Sequence, residues 1–478
     1  MKTRHKRIVN KLRKINKTHL FQKCSNAVFH GFKAGQLSGP YFHYLTALKW
    51  GLKYSRNTNK LKPQHDVIIY KITKQINELM SYHDLADFKK HDFIIFNVLS
   101  YQQFRFQRMD FQETLLRSKI IFEDKEFKSK YSFNSPFKQE TGIAIHQFYD
   151  MLYYTYITLE KLQEPYIPKS FTTAMNLLFG EQPSQAFIKM MTLTVRKANH
   201  LTEISNKRIK YEPAQCFDNE VFFNYIFYRI NNDFKYSNTA ILTNSAEVFV
   251  SNILKNTLGS FGNEIGTRFE KYVEKCLAHS NLEFRTENEL RKQYKDQKVV
   301  DFILDKNILV ECKAVELKPH VSVHPSTIKL SNELKKSIVK AFSLQMGNIA
   351  RLDKNVTKFY GLIITYRDLY IGSVTDVWET YKTEFDPTIT QLENVKQESI
   401  DLKRIFIISI STLEKLISVS LINKISIQDI LESIHLENKH SRKNIKTHLE
   451  SYKRDTMPWI RKGMERLHNN FLEKSERN

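Results

Sequence analysis

Apolar and polar positions along the chain follow two different periods. Between residues 40 and 255, apolar and aromatic residues recur every three and four positions, as at Ile68, Ile69, Ile72, Ile76 and Leu79. That spacing predicts amphipathic helices. Further helices are predicted over 145–162, 170–178, 184–200 and 219–231. Breaks fall near Pro63, Asn134-Ser135-Pro136, Pro165–Pro168 and Pro213. Residues 256–380 change character: a helix, short β-rich runs, a second helix, then another strand. Residues 404–410 read as one more strand and 411–435 as two short helices. There is no internal repeat and no low-complexity tract.

The run from Val299 to Lys313 carries the sharpest pattern. Two apolar stretches flank Asp305-Lys306-Asn307, which is a hairpin signal, with Asn307 suited to the positive-φ position of a three-residue loop. Pairing outward from that loop sets 304 against 308, 303 against 309, 302 against 310 and 301 against 311. Asp301 and Glu311 then face each other across the hairpin, with Cβ atoms about 5 Å apart. Lys313, two residues on, projects from the same face. Val300, Phe302, Leu304, Ile308, Val310 and Cys312 are expected on the other. Two carboxylates that close repel unless a proton or cation sits between them, and burying them with a lysine costs several kcal/mol unless they are paired or metal-bound. Carboxylate oxygens suit Mg²⁺ or Mn²⁺. A surface hairpin with an ordinary ion pair is the competing reading.

Composition narrows the partners. The 74 Lys and Arg exceed the 51 Asp and Glu by 23 over 478 residues. A chain this basic favours a polyanion, and nucleic acid is the expected one, with DNA first and RNA second. An anionic membrane surface is the rival, and a simple bias toward Lys, Asn and Ile is the bland explanation. The length predicts two or three domains. Cys24, Cys216, Cys276 and Cys312 are far apart, which argues against structural zinc and fits a reducing cytoplasm. The basic N-terminus lacks the apolar core of a signal peptide, and no run of about eighteen apolar residues predicts a membrane span. No P-loop pattern occurs.

Asp301, nine residues, then Glu311-Cys312-Lys313 resembles the signature of the PD-(D/E)XK, or restriction-endonuclease-like, nuclease superfamily. Val300 stands where the name has proline. The stretch Phe261–Val273, with Gly266-Thr267-Arg268-Phe269-Glu270, is similar to that superfamily's first core helix. The resemblance covers roughly residues 256–380. It implies an α/β nuclease core, a mixed central sheet flanked by helices, preceded by a large mostly α-helical domain. The expected divisions are a basic arm over 1–30, a helical recognition or partner-binding domain over 31–255, the nuclease domain over 256–435 and a basic helical tail over 436–478. It implies a divalent cation held by Glu270, Asp301, Glu311 and the backbone carbonyl of Cys312, with Lys313 as the catalytic lysine. It also implies a polar residue, Gln345, pointing into the site from the following helix. Periodicity agrees on the first helix: Ile265, Phe269, Tyr272, Val273 and Cys276 form one apolar stripe, and Glu270 lies on its flank. Glu264, farther from the stripe, is the alternative acid.

Other candidates have bland counterparts. Tyr101, Phe104, Phe106 and Phe111, interleaved with Arg105 and Arg108, could stack bases, although helical spacing favours core. His320 and His324 sit in a proline-containing loop with Lys318 and Lys329, better read as contacting substrate than as holding zinc. A helix is expected over 331–352, with Ser331 as candidate N-cap and an apolar stripe of Leu334, Ile338, Ala341, Phe342 and Ile349 that Gln345 interrupts. Basic residues at both ends, with Ile8, Leu12 and Ile15 at helical spacing in the first and Tyr452 and Trp459 in the second, read equally as phosphate contacts or solvated faces. The expected activity is metal-dependent hydrolysis of DNA phosphodiester bonds, as an endonuclease of the restriction or phage-defence kind, and the resemblance allows a homodimer that cuts both strands. The alternatives are an RNase, an inactive nucleic-acid-binding fold, and a recombination or transposition subunit.

Overall fold

The structure, a computed structural model, describes residues 2–30, 41–57, 60–81, 110–127, 131–208, 222–280, 282–295, 297–314, 332–353, 355–356, 358–369, 374–381, 401–437 and 445–476. Outside them lie Tyr101, Phe104, Arg105, Phe106 and Arg108. So do Lys318, His320, His324, Lys329, Ser331 and Cys216.

The amino-terminal half is mostly helical. Helix α1 (Lys2–Leu12) packs against helices Tyr41–Tyr54 and His65–Ser81. Its stripe is the predicted one, for Ile8, Leu12 and Ile15 are fully buried. The basic N-terminus is therefore a docked helix with charge on its outer side. Predicted helices over 145–162 and 170–178 form as Ile145–Leu159 and Lys169–Phe179. Two expectations fail here. The helix expected over 184–200 is split into Glu181–Met191 and Val195–Arg208 by strand β1 (Thr192–Thr194). The helix expected over 219–231 does not form in its described part: 222–226 is a turn and leads into strand β2 (Phe227–Ile230), which pairs in parallel with β1 and antiparallel with β3 (Asp233–Tyr236). The run Phe222 to Ile230 is apolar at both helical and strand spacing, and its aromatic residues suit a pleated surface. Phe111 opens helix α2 (Phe111–Glu123) and stacks on Tyr156 at 4.4 Å, so this member of the aromatic cluster belongs to the core.

The second sheet has five strands in sequential order, β4 (Phe284–Thr286), β5 (Phe302–Leu304), β6 (Ile308–Lys313), β7 (Tyr360–Thr365) and β8 (Ile405–Ser409). The first three run antiparallel and the last three parallel. Helix α3 (Phe261–Ala278) precedes the sheet, and α4 (Glu287–Gln293) follows β4. Between β6 and β7 the chain winds through wide π turns over Lys335–Val339 and Ala341–Met346 into α5 (Gly347–Leu352). The predicted stripe Leu334, Ile338, Ala341, Phe342 and Ile349 is buried throughout, but the local winding is π, a form that sequence periodicity does not distinguish. Gly361 lets this segment close on the sheet: a Cβ there would lie 2.8 Å from Met346 Sδ and 3.0 Å from Ile405 Cγ2. Helix α6 (Ile410–Asn423) follows β8. Helix α7 (Pro458–Glu476) docks against α2 and is also tied to helix Ile145–Leu159, whose Tyr153 Oη is bonded to His468 Nδ1 at 2.9 Å.

Both faces of the sheet are covered. Phe302, Leu304, Ile308 and Val310 join one apolar cluster, while Ile303, Leu309 and Ile363 join another beneath the π-wound segment. The first cluster extends from Ile8 to Ile460, so the amino-terminal helices and the sheet share a core. The predicted boundary at 255/256 falls in the last turn of the buried helix Thr239–Thr257. No described helix is long and apolar enough to cross a membrane.

Candidate metal centre

The hairpin forms in the register that the sequence predicts, with Leu304 opposite Ile308, Ile303 opposite Leu309 and Phe302 opposite Val310. Two details differ. The left-handed residues of the loop are Asp305 (φ 44°) and Lys306 (φ 72°), not Asn307. Asn307 instead ties the loop to its surroundings, donating from Nδ2 to Lys358 O at 3.3 Å and to Gln428 Oε1 at 3.0 Å. An aspartate tolerates that backbone because its short side chain fits the αL region. Val300 also departs from its expected face, for it joins the cluster under the π-wound segment, opposite to Phe302 and Leu304. The cause lies at Asp301, where the chain bends out of the ladder and the carboxylate replaces backbone pairing. Asp301 Oδ2 accepts the Cys312 N–H at 2.6 Å.

The ladders on either side of β5 set the geometry of the site. Strand β4 ends at Thr286, opposite Phe302, and the next residue, Glu287, opens α4 close to Asp301. Glu311 follows Val310, the partner of Phe302, and lies near enough to Asp301 for their charges to repel. Glu287, Asp301 and Glu311 thus gather at one end of the sheet. Helix α3 brings a fourth, Glu270, from the flank of its buried stripe. One oxygen from each of Glu270, Glu287 and Asp301 lies within 4.8 Å of the others. Glu264, the alternative acid, is not in this group.

Burial and mutual repulsion dominate the electrostatics. Burial, then the charges of Asp301 and Glu287, push Glu270 up to about 7. Burial raises Asp301 as well, opposed by the Cys312 N–H and the Lys313 charge. Glu311 is 2% exposed. Burial and the neighbouring Asp301 push it up to about 8, against the opposing pull of Lys313. Its Oε1 accepts from Lys313 Nζ, and its Oε2 is buried with no hydrogen-bond partner. Glu287 is partly compensated by Arg291, whose NH2 nitrogen donates to its Oε1 at 2.6 Å. The Cys312 thiol is held far above its ordinary value by burial, so it stays neutral and is no thiolate ligand.

The residues that the sequence points to sort as follows. Glu270 and Asp301 converge. Glu311 and Lys313 stand beside them as an ion pair rather than as members of the tight group. Gln345 sits in the π-wound stretch that packs against β6 and β7, with its Oε1 buried and unpartnered. Glu287 is a member that sequence reasoning missed. One signal could have found it: Thr286-Glu287-Asn288-Glu289 fits a capping box, which α4 uses with Thr286 as N-cap, and this puts Glu287 at the junction of β4 and α4. No protein-family model, curated protein or solved structure matches the chain.

The donor set suits a hard divalent cation. Clustered carboxylates with raised proton affinity shed their protons to a cation of higher charge. The orphaned Glu311 Oε2 is an oxygen acceptor lacking a donor, which a cation or its bound water would satisfy.

Proposed function

We propose that this chain is a metal-dependent nuclease of the PD-(D/E)XK type that hydrolyses DNA phosphodiester bonds by internal cleavage. One observation carries the reading: the tight group Glu270, Glu287 and Asp301, with Glu311 and its ion-pair partner Lys313 beside Asp301. The excess of 23 positive charges supports a polyanionic substrate.

Glu270, Glu287 and Asp301 would hold Mg²⁺ or Mn²⁺, with Glu311 Oε2 as a further oxygen. When bound, the cation polarises a phosphate oxygen and lowers the pKa of a water. Glu311 fixes the Lys313 ammonium at the rim of the group, where Lys313 is half-buried. From there Lys313 orients the attacking water or offsets charge developing on the phosphate. In this reading Gln345 contributes its amide from the π-wound segment that packs on β6 and β7.

Incubation of the purified chain with plasmid, linear and single-stranded DNA and with RNA, under Mg²⁺, Mn²⁺ or EDTA, tests the reading. Cutting of DNA that needs metal and is lost in Asp301→Ala and Lys313→Ala is the expected result. Cutting that survives both substitutions, or binding without cutting under every metal, would overturn it.

A further inference from the structure

We infer that the outer face of α1 is a fixed holding surface for the sugar-phosphate backbone of duplex DNA, separate from the carboxylate site. The inference deepens the nuclease reading by saying where substrate is gripped.

The first 65 residues contain 15 Lys and Arg and no Asp or Glu, well over half of the net charge of +23. The first acid, Asp66, is engaged by His19 Nε2 and Lys23 Nζ, both at 2.7 Å, and so is spent within the local structure. Helix α1 is anchored by its buried side, His5, Ile8, Val9 and Leu12. Lys2, Lys6 and Arg7 are exposed on the other. At about 100° per residue, Lys2 and Lys6 fall within ~40° of each other and Arg7 a further ~100° round, giving a cationic outer face.

Like charges at i and i+4, such as Lys2 and Lys6, destabilise a helix, and α1 itself contains no acid to offset them. The helix persists because its apolar stripe is buried in the shared core. A polyanion relieves the repulsion that the fold retains. The scales match: 11 residues span roughly 17 Å, and duplex DNA offers one negative charge per ~1.7 Å of axis. No aromatic side chain lies on the exposed part of α1, so the surface carries no base-stacking element and reads phosphates alone.

The test is fluorescence anisotropy with a labelled duplex of about 30 base pairs, roughly three helical turns, and the full chain in EDTA, so that cleavage plays no part. The variant is Lys2→Gln/Lys6→Gln/Arg7→Gln, and the control is Lys138→Gln/Lys161→Gln/Lys189→Gln, three exposed lysines on other parts of the helical region. The expected result is a salt slope shallower by about 0.9 for each phosphate no longer neutralised, hence by about 2 to 3 in the triple variant, with the control unchanged. Melting temperature in the α1 variant should hold or rise, since a repulsive pair has been removed. Equal slopes in the two variants would overturn the inference. So would tight binding to phosphatidylserine-containing vesicles, abolished in the α1 variant, with no binding to the duplex. Retained α1-dependent binding alongside absent cleavage would remove the catalytic reading and leave this one standing.

Discussion

Arg117 and Glu414, 297 positions apart in the chain, form a buried two-pronged ion pair with N···O distances of 2.8 and 2.7 Å. Tyr272 completes it by donating its hydroxyl to Glu414 Oε1 at 2.7 Å. Arg117 lies on α2, Glu414 on α6 and Tyr272 on α3, two residues beyond Glu270. A single carboxylate thereby ties the amino-terminal helices to the helix that supplies the candidate site. Arg117→Ala strands a buried carboxylate and should cost about 3–5 kcal/mol, whereas the paired change Arg117→Met/Glu414→Leu should cost much less. Urea unfolding of both variants checks this; equal losses would count against it.

Proton and cation compete for the same oxygens. Glu270 and Glu311 sit at about 7 and about 8 in the folded chain, above the ordinary glutamate value of about 4.3. Carboxylates raised in the folded state favour folding below the unfolded value and lose that contribution as pH rises through the folded one. The metal-free protein should therefore weaken between about pH 4.5 and 8. Mn²⁺ should restore stability most at the alkaline end, with affinity at least ~10-fold higher at pH 8 than at pH 6. Thermal unfolding with EDTA or Mn²⁺ at both pH values reads this directly, and equal stabilisation at the two would refute it.

Glu287 and Glu289 are two residues apart with opposite duties. Glu289 accepts from the Thr286 N–H at 2.7 Å and closes the cap of α4, while Glu287 belongs to the carboxylate group. Glu287→Ala should reduce Mn²⁺ affinity by at least ~10-fold. Glu289→Ala should leave affinity in place and lower the melting temperature slightly through the lost cap. Titration calorimetry and unfolding on the two variants separate the roles; matching Mn²⁺ affinities would remove Glu287 from the ligand set.

Lys313→Ala should lower kcat on DNA by ~10²–10³ while Mn²⁺ still binds, since the missing charge acts on the developing phosphate rather than on the cation. Calorimetry beside single-turnover cleavage gives both numbers. A variant that loses metal binding to the same degree would make Lys313 a structural partner of Glu311 only.

Gly51, on helix Tyr41–Tyr54, packs against Leu20 of helix Lys17–His30. A Cβ there would fall 1.7 Å from Leu20 Cδ2, inside a fully buried core. Gly51→Ala gains up to about 1 kcal/mol in helix propensity but should lose about 1–3 kcal/mol to overpacking. A melting temperature above that of the parent would contradict this.

The hairpin was legible because its loop is bounded by strands whose side chains alternate, so one turn length settles every pair after it. The stripe of α3 and the flank position of Glu270 were legible for the same reason at helical period. Glu287 was not, because its membership depends on a second ladder, β4 with β5, that the three-residue strand Phe284–Thr286 barely announces. The strand Phe227–Ile230 was misread as helix because its aromatic run satisfies both periods. The π winding around Gln345 leaves no mark on periodicity. The bend at Asp301 is a tertiary effect, since its carboxylate takes the Cys312 N–H that a regular ladder would not assign to a side chain.

The shared core from Ile8 to Ile460 has a consequence for how such a chain could be inherited. A segment cut out at residue 256 would carry the four carboxylates, yet it would leave Glu414 without its guanidinium. It would also lose the Ile121 and Asp124 carbonyls that Arg268 bonds at 2.9 and 3.4 Å. Recombination could not move this candidate catalytic segment between proteins as a free cassette. The helices before it and the sheet after it would have to travel through evolution as one unit, diverging together.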